Sequence, residues 1–138
     1  MTVCIDTNAL LQMLSVTHGF RRILDAWIGG EFAWAISNEI LTEYEELIRA
    51  KLGGARWERF LRALAIGERT NGNLPRVHPT FRFRIVAADP DDDKFADCAI
   101  VADADFIITE DGHFGPLATA GYKVRAITPE EFIRRFLP

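Results

Sequence analysis

Ala88-Asp89-Pro90-Asp91-Asp92-Asp93-Lys94-Phe95-Ala96-Asp97-Cys98-Ala99-Ile100-Val101-Ala102-Asp103-Ala104-Asp105-Phe106-Ile107-Ile108-Thr109-Glu110-Asp111-Gly112-His113 is the stretch that sets the architecture. Its acids and Pro90 make a turn. From Asp92 to about Ala102 the apolar residues Phe95, Ala96, Ala99 and Ile100 recur at helical spacing. Phe106-Ile107-Ile108-Thr109 is then an apolar run with the composition of a fully buried strand, and it leads to the carboxylate of Asp111.

The same alternation extends to both sides. Thr2-Val3-Cys4-Ile5 is a short β-branched strand ending at Asp6, with Asn8 placed to cap the helix that follows. A second helix is expected over Gly19–Ile28 and a second strand over Phe32–Ile36. Ser37-Asn38 opens a helix to about Lys51, with Ile40, Leu41, Tyr44, Leu47 and Ile48 as its apolar stripe. Ala55–Gly67 forms another, with Arg56, Arg59 and Arg62 opposite its apolar face, and Thr70–Pro75 is a loop. Phe81–Val86 alternates and reads as a strand with one solvated side. Phe114–Ala120 is a short helix and Lys123–Ile127 a last strand. Thr128-Pro129-Glu130-Glu131 is a capping box that opens a C-terminal helix. The order predicts one domain over residues 1–138: a three-layer α/β/α sandwich around a mostly parallel five-stranded sheet.

The chain has 138 residues, of which 49% are hydrophobic, enough for a core. No run approaches the roughly 20 apolar residues of a membrane span. Met1 leads directly into a strand without the features of a secretory leader, so a cytoplasmic protein with no membrane partner is expected. Cys4 and Cys98 sit in apolar runs and read as buried free thiols; His18, His78 and His113 lack zinc-ligand spacing. The net charge is −4, yet Arg49–Arg84 holds nine basic residues against two acids. That excludes a protein that simply coats nucleic acid and leaves room for a basic face beside an acidic site.

In parallel α/β sheets the functional crevice lies beyond the carboxyl ends of the strands. Asp6 and Asp111 directly follow strands. Asp92 opens the helix before the fourth strand, and Glu43 lies one turn into the helix after the second. These four carboxylates, unpaired with Lys or Arg in sequence, make a hard oxygen site suited to Mg²⁺ or Mn²⁺. Such ions can bring a phosphodiester to an acidic crevice and activate water. Each acid also has a structural explanation: Asp6 or Asp92 as a cap, Asp111 as an Asx turn before Gly112, Glu43 as a solvated helix residue. Asp89, Asp91, Asp93 and Asp105 read as solvated or capping, and Asp97 as part of a solvated helix face or as a further acid pointing into the site.

Val3–Asn8, Ser37–Tyr44, Asp89–Phe95 and Ala104–Asp111 together resemble the PIN-domain family, especially its single-domain prokaryotic branch of toxin components from toxin–antitoxin pairs. The resemblance implies Asp6, Glu43, Asp92 and Asp111 as catalytic, metal-binding acids, with Asn8 and Thr109 as supporting polar residues. The run Asp91-Asp92-Asp93 leaves a one-residue choice. Asp92 shares a helix face with Phe95, Ala96 and Ala99, while Asp93 is turned about 100° away. The resemblance further implies a Mg²⁺- or Mn²⁺-dependent endoribonuclease acting on RNA, held inactive by a cognate antitoxin and commonly homodimeric. Leu10, Leu11, Leu14 and Phe20 would offer the dimer or antitoxin surface, or pack in the core. Arg56, Arg59 and Arg62 would contact RNA phosphate, or form a solvated face.

Two other classes compete. A haloacid-dehalogenase-type phosphatase needs a second Asp where this chain has Asn8, and a receiver domain needs paired acids at the first strand. A catalytically silent RNA- or protein-binding module that kept the acids is the remaining alternative.

Overall fold

The computed structural model describes residues 1–86 and 89–138. Strand β1 (Thr2–Ile5) is its hub. It pairs with β2 (Ala33–Trp34) on one side and β3 (Phe106–Ile108) on the other, and β4 (Arg125–Ile127) lies outside β3. All three pairings are parallel, with Val3 opposite both Trp34 and Phe106, and Ile5 opposite Ile108. Central parallel strands are covered on both faces. Val3, Cys4, Ile5, Ile107 and Ile108 are accordingly all buried.

The covering helices are α1 (Thr7–Leu14), α2 (Arg21–Ile28), α3 (Asn38–Leu52), α4 (Gly54–Asn71), α5 (Asp93–Val101) and α6 (Pro129–Phe136). Ser37 caps α3 by accepting from the Ile40 amide at 3.3 Å. Gly53, at φ 92°, makes the sharp joint between α3 and α4, a conformation that side-chain-bearing residues rarely adopt. Trp34 lies at the centre of an aromatic core, with Trp27 edge-on at 5.4 Å and Tyr44 and Phe60 each at 6.0 Å. The Tyr44 hydroxyl donates to the carbonyl of Ile5, tying α3 to the end of β1. Cys4 and Cys98 are buried free thiols, 3.6 Å apart between sulfurs. Among the described residues no helix is long and apolar enough to cross a membrane.

The α/β architecture agrees with the sequence, but the described sheet has four strands instead of five. Phe81–Val86 is not a strand. Its amides are taken by carboxylates of α5: Phe83 N–H donates to Asp97 at 3.0 Å and Val86 N–H to Asp93 at 2.8 Å. Its alternation comes from Phe81 and Phe83, whose rings meet edge to face. The free edge of β2 is instead bordered by Asn73–Val77, which makes one parallel bridge, Ile36 to Arg76. Pro75 supplies a carbonyl to Ile36 N–H at 3.0 Å but has no amide to give, which confines this segment to an edge.

Other local expectations shift too. Helix α1 begins at Thr7, so Asn8 is not its cap. Asp97, expected on a solvated face, is 3% exposed and holds the Phe83 amide. Helix α4 runs through the first part of the expected loop. Thr128 caps α6 through the Glu131 amide, while the Glu131 carboxylate turns to Arg134, so only half of the capping box forms. Leu10 and Leu14 belong to the core, and Leu11 and Phe20 are partly buried against it.

One helix position is dictated by contact alone. A Cβ at Gly67 would lie 2.3 Å from the Trp27 ring, and that ring is pinned by its N–H bond to the Asn73 carbonyl at 3.0 Å. Alanine inside a helix normally gains about 1 kcal/mol over glycine. Gly67→Ala should instead destabilise by about 1–3 kcal/mol through overpacking, read from the urea denaturation midpoint.

Candidate metal centre

The carboxyl ends of β1 and β3 lie side by side, and Asp6 N–H donates to the Ile108 carbonyl at 3.0 Å. This puts the Asp6 carboxylate, 5% exposed, next to Thr109. The Thr109 hydroxyl donates to Asp6 Oδ2 at 2.8 Å and accepts from the Asp111 amide at 2.9 Å. One side chain thus orients the first acid and the backbone of the last. Asp111 in turn accepts from His113 N–H at 2.8 Å, an Asx turn through Oδ1.

The 3₁₀ turn Pro90–Asp92 precedes α5. Asp92 stands at the N-cap position of α5, yet its side chain makes no cap bond. Its Oδ2 is buried without a hydrogen-bond partner among the described residues. Burial first, then the charges of Asp6, Asp89 and Asp111, push the Asp92 carboxyl up to about 7. Asp6 is also raised, chiefly by burial; the bonds from Thr109 and the Thr7 amide oppose this, and the Asp111 and Glu43 charges add to it. Asp93 faces away and holds the Val86 amide.

Glu43 is near enough to act on Asp6, but both its oxygens are engaged. One accepts from the Thr7 hydroxyl and the other from Lys94 Nζ at 2.7 Å. The expectation that the acids lack a basic partner is therefore corrected for Glu43. Asn8 is exposed on the rim of a cleft that Asp6, Lys51 and Asp111 also line. Among the described residues its side chain makes no hydrogen bond.

Sequence reasoning passed over two residues. Asp89, Asp92 and His113 each offer one ligand atom within 4.8 Å of the others. His113 Nδ1 lies 3.1 Å from Asp111, 3.6 Å from Asp92 and 4.0 Å from Asp89. Asp89 does cap, accepting from the Asp91 amide at 3.1 Å through Oδ1, but its Oδ2 faces the cluster. The available signal was local: residues three apart eclipse in a 3₁₀ turn, which aligns Asp89 with Asp92.

These residues fit a divalent cation. An unpartnered buried carboxylate oxygen among further acids is satisfied by a proton or a cation, and carboxylate oxygens with one imidazole suit a hard to borderline ion. The three arginines are not brought to this centre. Arg56 donates to the Leu14 carbonyl at the end of α1. Arg56 and Arg59 line a separate hollow with Val16 and Arg21, and Arg62 is exposed.

Residues 2–113 match the family model described as PIN domain. That span contains Asp6, Glu43, Asp89, Asp92, Asp111 and His113. No curated protein matches the chain.

The raised Asp92 carboxyl has a definite consequence for stability. The folded protein retains a proton that the unfolded chain releases between the ordinary value of 3.8 and about 7. Stability of the metal-free protein should therefore fall as pH rises through that window. Melting curves in EDTA should show a lower Tm at pH 8 than at pH 5.5, and Mn²⁺ should raise Tm at pH 8. Asp92→Asn should flatten both responses; an unchanged response to Mn²⁺ would remove Asp92 from the centre.

Proposed function

We propose that this chain, which belongs to the PIN-domain family, is a Mg²⁺- or Mn²⁺-dependent endoribonuclease and the toxin of a type II toxin–antitoxin pair. The observation that carries the nuclease reading is the buried Asp92 oxygen, without a hydrogen-bond partner among the described residues, set among Asp6, Asp89, Asp111 and His113. The toxin assignment rests on the resemblance to the single-domain prokaryotic branch. With it come a cytoplasmic location, a single domain over residues 1–138, a homodimer and an antitoxin partner.

Asp6, Asp92 and Asp111 would hold the cation, with Asp89 and His113 beside them and Glu43 at the margin. A bound divalent ion supplies positive charge to draw in a phosphodiester and lowers the pKa of water. The protein's own groups do the rest. Thr109 keeps Asp6 in one orientation and favours its charged form, the kind of supporting partner that orders a ligand. Asn8, on the cleft rim, is available to a substrate. Glu43, held by Thr7 and Lys94, is a proton acceptor for the water that adds across the P–O bond. Lys94 keeps a positive charge beside that acceptor, in the cleft where an anionic backbone would pass.

A second reading is favoured by the same ion pair. Lys94 satisfies Glu43 without any metal, as a catalytically silent RNA- or protein-binding module would require. Incubation of antitoxin-free protein with Mg²⁺ or Mn²⁺ and RNA separates the two. Cleavage is expected, and Asp6→Asn should abolish it. Thr109→Val should weaken metal affinity roughly 10- to 100-fold, measured by calorimetry. Metal binding with RNA left intact would favour the silent module.

A further inference from the structure

The segment between α4 and α5, together with Tyr122 from the turn before β4, carries aromatic side chains that neither the core nor the candidate metal centre uses. Phe81 is 64% exposed and Tyr122 36% exposed, with Phe83 half-buried between them. Phe81 and Phe83 meet at 4.9 Å, and Phe83 and Tyr122 at 5.5 Å. The aromatics alternate with Arg82 and Arg84, both exposed. Asp97 and Asp93 hold the backbone of this segment from beneath, through the Phe83 and Val86 amides. The rings are thus presented outward on a tethered strip.

The strip leads into a cleft that ends at Glu43 and Lys94, on the margin of the candidate metal centre. Arg82, Glu39 and Asn38 line both the hollow beside Phe81 and a cleft of about 530 Å³ that reaches Glu43 and Lys94. Arg82 is paired with Glu39 at 2.9 Å, but both side chains are more than half exposed. Such pairs are weak and exchange readily for a phosphate.

Aromatic faces interleaved with arginine suit a strand whose bases are unpaired: bases stack on the rings while the cations meet the backbone. A protein partner would favour a continuous apolar patch, whereas Arg82 and Glu39 interrupt this one. We propose that Phe81, Phe83 and Tyr122 form a stacking platform for single-stranded RNA. Arg82 would sit on its backbone, and the strand would run along the cleft to the metal centre. The identity of the strand as substrate rests on the nuclease reading above.

The test is fluorescence anisotropy of a labelled single-stranded RNA, in an Asp6→Asn background with Mg²⁺ so that the probe stays intact. Phe81→Ala, at an exposed position that the fold does not need, should weaken binding roughly tenfold, and Phe81→Trp should retain it. Arg82→Ala should lower the slope of log affinity against log salt by about one. A duplex of the same sequence should bind no better than the single strand binds Phe81→Ala. RNA carrying 4-thiouridine should photocrosslink to Phe81 or Tyr122. If wild-type protein cleaves RNA while Phe81→Ala binds as tightly as its parent, the platform is wrong and the nuclease stands. If wild-type protein neither binds nor cleaves RNA, both fall. Unchanged RNA affinity with loss of a protein partner would reassign the strip to that partner.

Discussion

The Thr109 hydroxyl stands at the meeting point of two demands that conflict. The parallel sheet wants its central strands dry, and the site wants carboxylates where those strands end. Asp6 is nearly buried, and an isolated buried carboxylate is strongly disfavoured. The hydroxyl answers by donating to Asp6 and accepting from the Asp111 amide, so the acids following β1 and β3 share one organiser. The pairing of β1 with β3 keeps that organiser in place. Everything else about the centre follows from this junction: what reaches it, what is held back from it, and which oxygen is left without a partner.

The acid-rich turn before α5 shows how neighbouring carboxylates can have separate duties. Asp89 caps the 3₁₀ turn and shows its second oxygen to the centre. Asp92 is left, among the described residues, without a hydrogen-bond partner for its buried oxygen. Asp93 and Asp97 bind backbone amides of the aromatic strip. A single short helix thereby joins the candidate metal centre on one side to a surface feature on the other. The burial that keeps Asp97 dry is tolerable because its carboxylate has an amide to accept from.

Much of this was legible in the residues. Buried strands announce themselves by β-branched runs, so β1 and β3 and the acids beyond them could be read directly. The failures have physical causes. Phe81–Val86 has the alternation of a strand, but alternation reports only that side chains point two ways. Here one set stacks on the surface and the amides go to carboxylates. The edge beside β2 went to Asn73–Val77, which Pro75 disguised as a loop. Periodicity also says nothing about which oxygen of an acid is spoken for. The Lys94 pairing with Glu43 and the return of His113 toward Asp92 are tertiary facts, set by how α5 and the turn after β3 pack. The arginines of α4 formed a regular face, yet one of them serves the end of α1.

Tyr44 gives the centre a property of a different kind. Its hydroxyl binds the carbonyl of Ile5, the residue before Asp6, its ring is part of the Trp34 cluster, and Glu43 precedes it in the chain. The site therefore has no scaffold of its own: the backbone that aims Asp6 and the helix that carries Glu43 are held by the same buried ring. A chain that loosens its aromatic core loses the spacing of its acids in the same cooperative step. Partially folded copies would then lose the arrangement of the candidate site together with the core.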